Sequence, residues 1–202
     1  MTVQELLTQV KALRSTTFTD EQLVTWLNEC EGFLALENFR WPIRKWFPYQ
    51  LTAAASEPGV LFPDSGHMVL TEPAYLAPGG LVTVDGLMTY ADNNGGPWPL
   101  LATSDDGLLL TFRPGTFPAI GDTPDSGTAA LAYDGTGCEL LALPPHDRLY
   151  RPYLLAQMAF AQEEWDGYQN YMALYNGFLS EYKKWFNRTY CPEANRCNWR
   201  CM

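Results

Sequence analysis

The most regular alternation of apolar and polar positions lies near the C-terminal end of the 202-residue chain. Between residues 168 and 186, large apolar side chains recur at steps of four and three, which places them on one face of a helix. The members of this aromatic stripe are Tyr168, Met172, Tyr175, Leu179, Tyr182 and Phe186, and it is widened by Tyr171, Phe178 and Trp185. Because a buried tyrosine hydroxyl needs a hydrogen-bond partner, the stripe suits a half-hydrated packing surface or an interface between copies better than a dry core. Its periodicity alone fits an ordinary amphipathic core helix equally. The predicted bundle or self-assembly residues are Tyr168, Tyr171, Tyr175, Tyr182 and Trp185.

Two shorter helices are predicted at the N-terminal end. Thr2 and Glu5 have capping-box spacing ahead of an apolar run, which indicates a helix over residues 2–15. Thr19 and Gln22 repeat this spacing at the start of a second apolar series. Since only a few residues separate the two helices, we expect them to pack as an antiparallel pair.

From about residue 50 the pattern changes to short apolar segments separated by Gly, Pro, Asn and Asp, which is typical of strands and turns. Asp85-Gly86 suits a type I′ turn, so residues 81–84 and 87–90 are predicted to form a hairpin. Further strand predictions fall at residues 60–62, 67–70, 100–103 and 108–112, with a second hairpin formed by residues 129–133 and 138–143. Helix returns after Pro144-Pro145, and Pro152 requires that this helix starts late or kinks.

The expected fold is therefore α+β, with two helical hairpins, N-terminal and C-terminal, forming one bundle. Residues 1–48 and 144–190 make the bundle, and residues 49–143 make an inserted small antiparallel β-sheet or barrel. Residues 191–202 lack any period and are predicted to form an extended C-terminal tail.

Composition places the chain among folded proteins, with 47% apolar and 14% aromatic residues. The N-terminus has an early glutamate and no cationic start, and no apolar run approaches the roughly 20 residues of a membrane span. We expect a soluble chain that is made and kept in a cytoplasm.

The net charge of −10 is concentrated in one segment. Residues 52–140 contain eleven acids and one base, so the remainder of the chain is neutral overall. Clustered Lys and Arg are needed to grip nucleic acid, and this acidic segment argues against direct binding. Bases cluster instead near the C-terminus and in RWPIRKWFP, residues 40–48, whose aromatic rings could stack on bases or sugars or could pack a linker onto the helices.

No combination of residues predicts catalysis or a cofactor. His67 and His146 are the two histidines, and no serine lies in a nucleophile-elbow pattern. The turns at residues 92–96 and 121–125 lack the alternating acids and closing glutamate of calcium loops. Cys191, Cys197 and Cys201 lack a nearby fourth zinc ligand, so free thiols are predicted. The chain is predicted not to be an enzyme and to hold no metal.

The C-terminal stretch carries a family resemblance. CELLALPPHDRLYRPYLLAQ, followed by a Tyr/Asn-rich helix, resembles tailed-bacteriophage structural proteins encoded among the head and neck genes, and FTDEQLVTWLNECEGFL is similar to their second helix. Helical pairs around an insertion, with a tail, resemble head-to-tail connector (adaptor) proteins. The likeness covers roughly the first forty and last sixty residues.

That resemblance implies a structural virion protein of the neck region, assembled in the bacterial host cytoplasm. It implies a homo-oligomeric ring, twelve copies in the family, that contacts the portal protein, a downstream neck or tail protein and, transiently, passing DNA, without a membrane partner. The tail is then expected to dock on an acidic portal rim, through Lys183, Lys184, Arg188, Arg196, Trp199 and Arg200. Acids of the insertion would face the channel, namely Asp85, Asp92, Asp105, Asp106, Asp122 and Asp125.

Two alternatives from other functional classes stay open. A carbohydrate-binding or adhesion module predicts Trp98 and Tyr90 clustered on the surface beside Asp92 or Asp106, where aromatic rings could stack on sugars. A small hydrolase is suggested only by the abundance of acids, and the sequence pairs none of them.

Overall fold

The computed structural model describes residues 1–37 and 47–190, and all structural statements refer to them. This part of the chain contains the helices α1 (Val3–Leu13), α2 (Asp20–Glu37), α3 (Tyr150–Ala161) and α4 (Trp165–Tyr190). Its strands are β1 (Thr52–Pro58), β2 (Leu61–Asp64), β3 (His67–Val69), β4 (Leu81–Asp85), β5 (Gly95–Pro99), β6 (Ala102–Thr103), β7 (Leu109–Thr111) and β8 (Thr128–Asp134). Short 3-10 turns cover Ala91–Asn93 and His146–Leu149.

The strands form two open, antiparallel, four-stranded sheets. One has the order β1-β8-β4-β5 and the other β2-β3-β7-β6. In β8 the side chains alternate, so that Ala129, Leu131 and Tyr133 are buried while their neighbours face outward. Val82 and Val84 of β4 lie opposite Tyr133 and Leu131 and are also buried, which gives this sheet one core face and one solvent face.

The described chain divides into two compact units. The helical unit contains Met1, Leu6–Phe18 and the described chain from Leu140 onward, whereas the strand unit contains Thr2–Glu5 and Thr19–Glu139. Most of α1 thus belongs with α3 and α4, and α2 belongs with the strands.

The predicted arrangement of two helical hairpins around a small inserted sheet was wrong. α2 does not join α1 in a hairpin, because its side chains find partners in the strand unit. The Asn28 side chain accepts the N–H of Tyr49 at 2.7 Å and donates to its carbonyl at 2.9 Å, which ties α2 to the chain entering β1. The β region also differs from the expected single small sheet or barrel, because its strands form two four-stranded sheets that do not close into a barrel.

Both predicted hairpins were also wrong. Residues 81–85 form β4, but its sheet partners are β5 and β8 and not residues 87–90. The N–H groups of residues 88–90 are bound by the Asp125 carboxylate, so they are not available to a strand. Residues 129–133 lie in β8, which pairs with β1 and β4, whereas residues 138–143 do not form a strand.

The predicted helix starts are confirmed. Glu5 accepts the Thr2 N–H at 2.9 Å, and the Thr2 hydroxyl oxygen accepts the Glu5 N–H at 3.2 Å. Gln22 and Thr19 make the same reciprocal pair at 2.9 and 3.3 Å. Pro152 lies in the first turn of α3, where its missing N–H breaks no helical hydrogen bond, so the helix starts late.

A tight turn joins α3 to α4. Glu163 has a positive φ of 60°, the Glu163 N–H donates to the Phe160 carbonyl, and the Glu164 N–H donates to the Ala159 carbonyl. These two bonds make a Schellman motif with a non-glycine residue at its left-handed position. The turn allows α3 and α4 to pack against each other.

Candidate docking surface of the helical unit

An apolar groove of about 210 Å³ opens on the surface of the helical unit. It is lined by Leu13, Arg148, Arg151, Pro152, Leu155, Tyr171, Leu174 and Phe178. Pro152 and Leu155 of α3 are buried, whereas Leu13 is 63% exposed and Leu174 is 54% exposed. Exposed apolar side chains grouped around a concave site are characteristic of binding surfaces.

The α4 side of the groove follows from a second apolar series in the sequence. Tyr171, Leu174 and Phe178 recur at steps of three and four, so they share one helix face. This face lies next to the aromatic stripe, in which Tyr175 and Tyr182 are buried. The helix is thus apolar over two adjacent faces, of which one is buried and the other is at the surface.

Two arginines, Arg148 and Arg151, lie at the groove. The Arg148 guanidinium lies 4.6 Å from the centroid of the Phe178 ring, a cation–π geometry, and donates to Glu181 at 2.5 Å. Arg151, on the first turn of α3, adds a second positive charge. The ion pair of Arg148 is largely solvent-exposed, so it orients the side chain more than it stabilises the fold.

Arg14 fixes the end of α1 within this unit. Its guanidinium donates to Glu164 at 2.6 Å and also to Gln162, both in the turn between α3 and α4. Leu13 is the neighbouring residue, so this contact also holds one wall of the groove in place.

His146 is a packing residue of the same unit. Its ring centroid lies 4.7 Å from that of Trp185 and 5.6 Å from that of Tyr182. Burial lowers the pKa of His146, and Arg148 lowers it further, against smaller opposing effects of Glu181 and Asp147. The lowered pKa favours the neutral form of the ring, which packs between aromatic side chains.

The five residues predicted for bundle or self-assembly contacts lie in three environments. Tyr175 and Tyr182 are buried in the helical unit. Tyr168 and Trp185 are half-buried and pack against aromatic neighbours. Tyr171 lines the groove. The stripe therefore serves mainly as core, and the surface available to a partner lies beside it.

The residues predicted to dock on a portal are partly described. Lys183 is half-buried, and Lys184 and Arg188 are exposed, all in the last turns of α4. The other three residues lie outside the described part of the chain, as do the bases of the earlier cluster. These are Arg196, Trp199 and Arg200, and Arg40, Arg44 and Lys45.

One of the six acids predicted to face the channel is buried instead of exposed. Asp85, Asp92, Asp105, Asp106 and Asp122 are exposed. Asp125, in contrast, is only 5% exposed. Its carboxylate accepts N–H groups of Met88, Thr89, Tyr90 and Gly127 at 2.7–3.1 Å, so it faces the protein and cannot face a channel.

Asp125 is part of a wider connection between two loops, residues 85–94 and 118–127, which we call the acidic loop pair. Asn93 donates to the Ala119 carbonyl at 2.6 Å and accepts its N–H at 2.9 Å. The Tyr90 hydroxyl donates to the Thr123 carbonyl at 2.6 Å. The pair presents two apolar side chains to solvent, Met88 at 72% and Ile120 at 57% exposure.

The aromatic platform required by the carbohydrate alternative is not on the surface. Tyr90 is 5% exposed and its hydroxyl is engaged within the protein. Trp98 is half-buried, with its ring centroid 5.4 Å from that of Phe117 in an edge-to-face contact.

Within residues 1–37 and 47–190, no three Asp, Glu, His or Cys side chains are grouped so that they could hold a metal ion. The cluster of Cys191, Cys197 and Cys201 lies beyond this range. None of the described helices combines the length and apolarity needed to cross a membrane.

Neither a protein-family model nor a curated protein matches the chain.

Several groove residues were missed by the sequence predictions. Arg148, Arg151 and Leu174 were not named, although the spacing of Tyr171, Leu174 and Phe178 was a readable signal for a second apolar face. The exposure of Met88 and Ile120 had no such signal, because both lie in loops whose conformation depends on distant residues.

Proposed function

We propose that this chain is a structural virion protein, a head-to-tail connector that forms a ring beneath the portal through which DNA passes. The family resemblance of residues 138–185 suggests it, and the apolar groove of the helical unit is the observation that carries it. A subunit of a ring needs a surface that contacts its neighbours, and apolar side chains on well-packed helices suit that role.

The long helix α4 adds support. Its 26 residues extend about 39 Å at 1.5 Å per residue. Tyr175, Tyr182 and Phe186 anchor it in the helical unit, and its opposite face is polar. A rigid helix with an anchored face and an outer face can pack beside the same element of another subunit.

The charge of the strand unit is compatible with passing DNA. Five of the six acids predicted to face the channel are exposed, and DNA phosphates are repelled by surfaces of the same sign. If these acids face the channel, DNA moves past them without binding. An assembled ring in which they project outward would overturn this part of the proposal.

The proposal is tested by co-expressing the chain with candidate portal proteins and imaging the products by negative-stain electron microscopy. We expect rings of this chain attached to the portal. Absence of attached rings with a portal protein from the same genome would contradict the function.

The predicted portal-docking tail has its own test. A chain that ends at Tyr190 lacks Arg196, Trp199 and Arg200 but keeps α4. We expect it to lose portal attachment while keeping its helical content by circular dichroism. Equal attachment by the full and shortened chains would remove the tail from the docking role.

A further inference from the structure

We infer that the apolar groove of one copy receives the acidic loop pair of a second copy. The contact deepens the proposed ring and rests on that proposed function for its biological setting. It joins the groove of one copy to a different surface, the acidic loop pair, of the next copy. It is therefore a head-to-tail contact between subunits.

Apolar matching is the first reason. The groove has exposed walls at Leu13 and Leu174 over a buried floor. The acidic loop pair presents Met88 and Ile120, two of the more exposed large apolar side chains in the described chain. Inserting these side chains between the walls would remove apolar surface from water on both copies.

Charge complementarity is the second reason. Arg151 supplies a positive charge beside the groove, and Arg148, which is paired with the Glu181 carboxylate, places a second guanidinium there. The loop pair also carries three exposed acids, Asp85, Asp92 and Asp122. An apolar centre with opposite charges at its edge is the usual organisation of a specific interface, and it disfavours contact between two copies of the same surface.

The loop pair is also preorganised. Asp125 and Asn93 fasten its two loops through bonds between residues 26 to 37 positions apart. Loops that are already fixed lose little conformational entropy on binding, so a moderate apolar contact can suffice.

Each copy carries both the groove and the acidic loop pair, so each subunit can receive one neighbour and insert into another. Repeated head-to-tail contacts generate a closed ring if the rotation closes and an open chain if it does not. Contact between two copies of one surface would instead stop at a dimer.

The test uses two double variants of the full chain and sedimentation velocity over a concentration series. Leu13→Gln with Leu174→Gln impairs the groove, and Met88→Gln with Ile120→Gln impairs the loop pair. All four side chains are exposed, so folding should be retained, which a thermal melt checks. Tyr75→Gln with Leu101→Gln is the matched control, since these residues are 47% and 54% exposed outside both surfaces.

We expect wild type and the control to have the same dissociation constant for self-association. Each impaired variant should associate at least about tenfold more weakly. A mixture of the two impaired variants is the decisive sample. Each variant keeps one intact surface, so the mixture should form a 1:1 dimer and no larger species.

Three results would overturn the inference. The first is a loop-pair variant that associates as wild type does, and the second is an equimolar mixture that stays monomeric. The third is a wild-type chain that remains monomeric at the highest concentration reached.

Failure of the inference is distinguishable from failure of the proposed function. Rings that form on the portal with the loop-pair variant would remove this contact and leave the connector function intact. Head-to-tail association without any portal attachment would leave the contact and remove the function.

Discussion

The Asp125 carboxylate accepts four backbone N–H groups from two loops and thereby sets the conformation of residues 88–90. Burial by itself raises the pKa of Asp125, but the hydrogen bonds from Met88, Tyr90, Gly127 and Thr89 outweigh it, so the net pKa lies below the ordinary 3.8. A single side chain thus replaces the hairpin that Asp85-Gly86 predicts.

Replacing Asp125 with Asn should lower the free energy of unfolding at neutral pH by about 2–3 kcal/mol, because the amide cannot accept all four N–H groups and presents its own donors to them. Urea denaturation measures this change. Asp122→Asn, at an exposed position in the same loop, is the control and should stay within about 0.5 kcal/mol. Similar effects of the two variants would contradict the role given to Asp125.

The same carboxylate predicts an acid dependence. Since its folded pKa lies below its unfolded value, its stabilisation is complete above that unfolded value and is lost as the pH falls through the folded pKa. The difference between wild type and Asp125→Asn should therefore shrink below about pH 4. A difference that is constant from neutral pH to about pH 3 would exclude this linkage.

His146 predicts a second pH dependence with its own window. Its pKa is lowered in the folded protein, first by burial and then by Arg148, so the folded state binds fewer protons than the unfolded state. Stability is therefore unaffected above the ordinary 6.5 and falls as the pH drops from there toward the folded pKa. His146→Gln should remove this loss, as measured by urea denaturation at about pH 7.5 and about pH 5.5. Parallel losses in the two proteins would contradict it.

The turn between α3 and α4 places Glu163 in a backbone conformation that a residue with a Cβ disfavours. Glu163 occupies the left-handed position of a Schellman motif, where the absence of a Cβ makes glycine the favoured residue. Elsewhere in this helical pair the residues suit their positions. Pro152 lies in the first turn of α3, and the apolar stripe of α4 is buried. The turn is thus a position where stability can be gained locally.

Glu163→Gly should raise the free energy of unfolding by about 0.5–1 kcal/mol, because the relief of left-handed strain exceeds the extra unfolded-state entropy of glycine. Thermal denaturation measures the shift. Glu163→Ala keeps the Cβ and should gain little, so it separates the backbone effect from loss of the charge. An equal gain for both variants would assign the effect to charge.

Charge is segregated over the whole molecule. The excess of acids falls within residues 52–140, and all of these acids belong to the strand unit, while Arg148 and Arg151 lie at the groove of the helical unit. A chain with two oppositely charged surfaces can associate with itself in one direction, and the strength of that association depends on salt.

Self-association should weaken several-fold between about 0.05 M and about 0.5 M salt, because salt screens exposed charges at the edge of the contact. Arg148→Gln with Arg151→Gln should associate more weakly at low salt and depend less on salt. Sedimentation velocity of both proteins at the two salt concentrations measures this. An identical salt dependence would exclude the arginines from the contact.

The sequence by itself determined the features that depend on interactions between residues a few positions apart in the chain. The capping pairs Thr2 with Glu5 and Thr19 with Gln22 and the buried face of α4 followed from spacing alone. Pro152 restricted the third helix to a late start or a kink, and α3 begins late, at Tyr150. These features depend on one helical turn, where the partners are fixed by the covalent chain.

Only the tertiary structure decided which elements come together. The unit that α2 joins, the partners of β4 and the burial of Asp125 depend on residues such as Asn28 and Tyr49, or Met88 and Asp125, that lie 21 and 37 positions apart. The groove arises in the same way, from α1, α3 and α4 together. Such contacts are selected by packing and hydrogen bonding across the whole fold, and local propensity gives way to them.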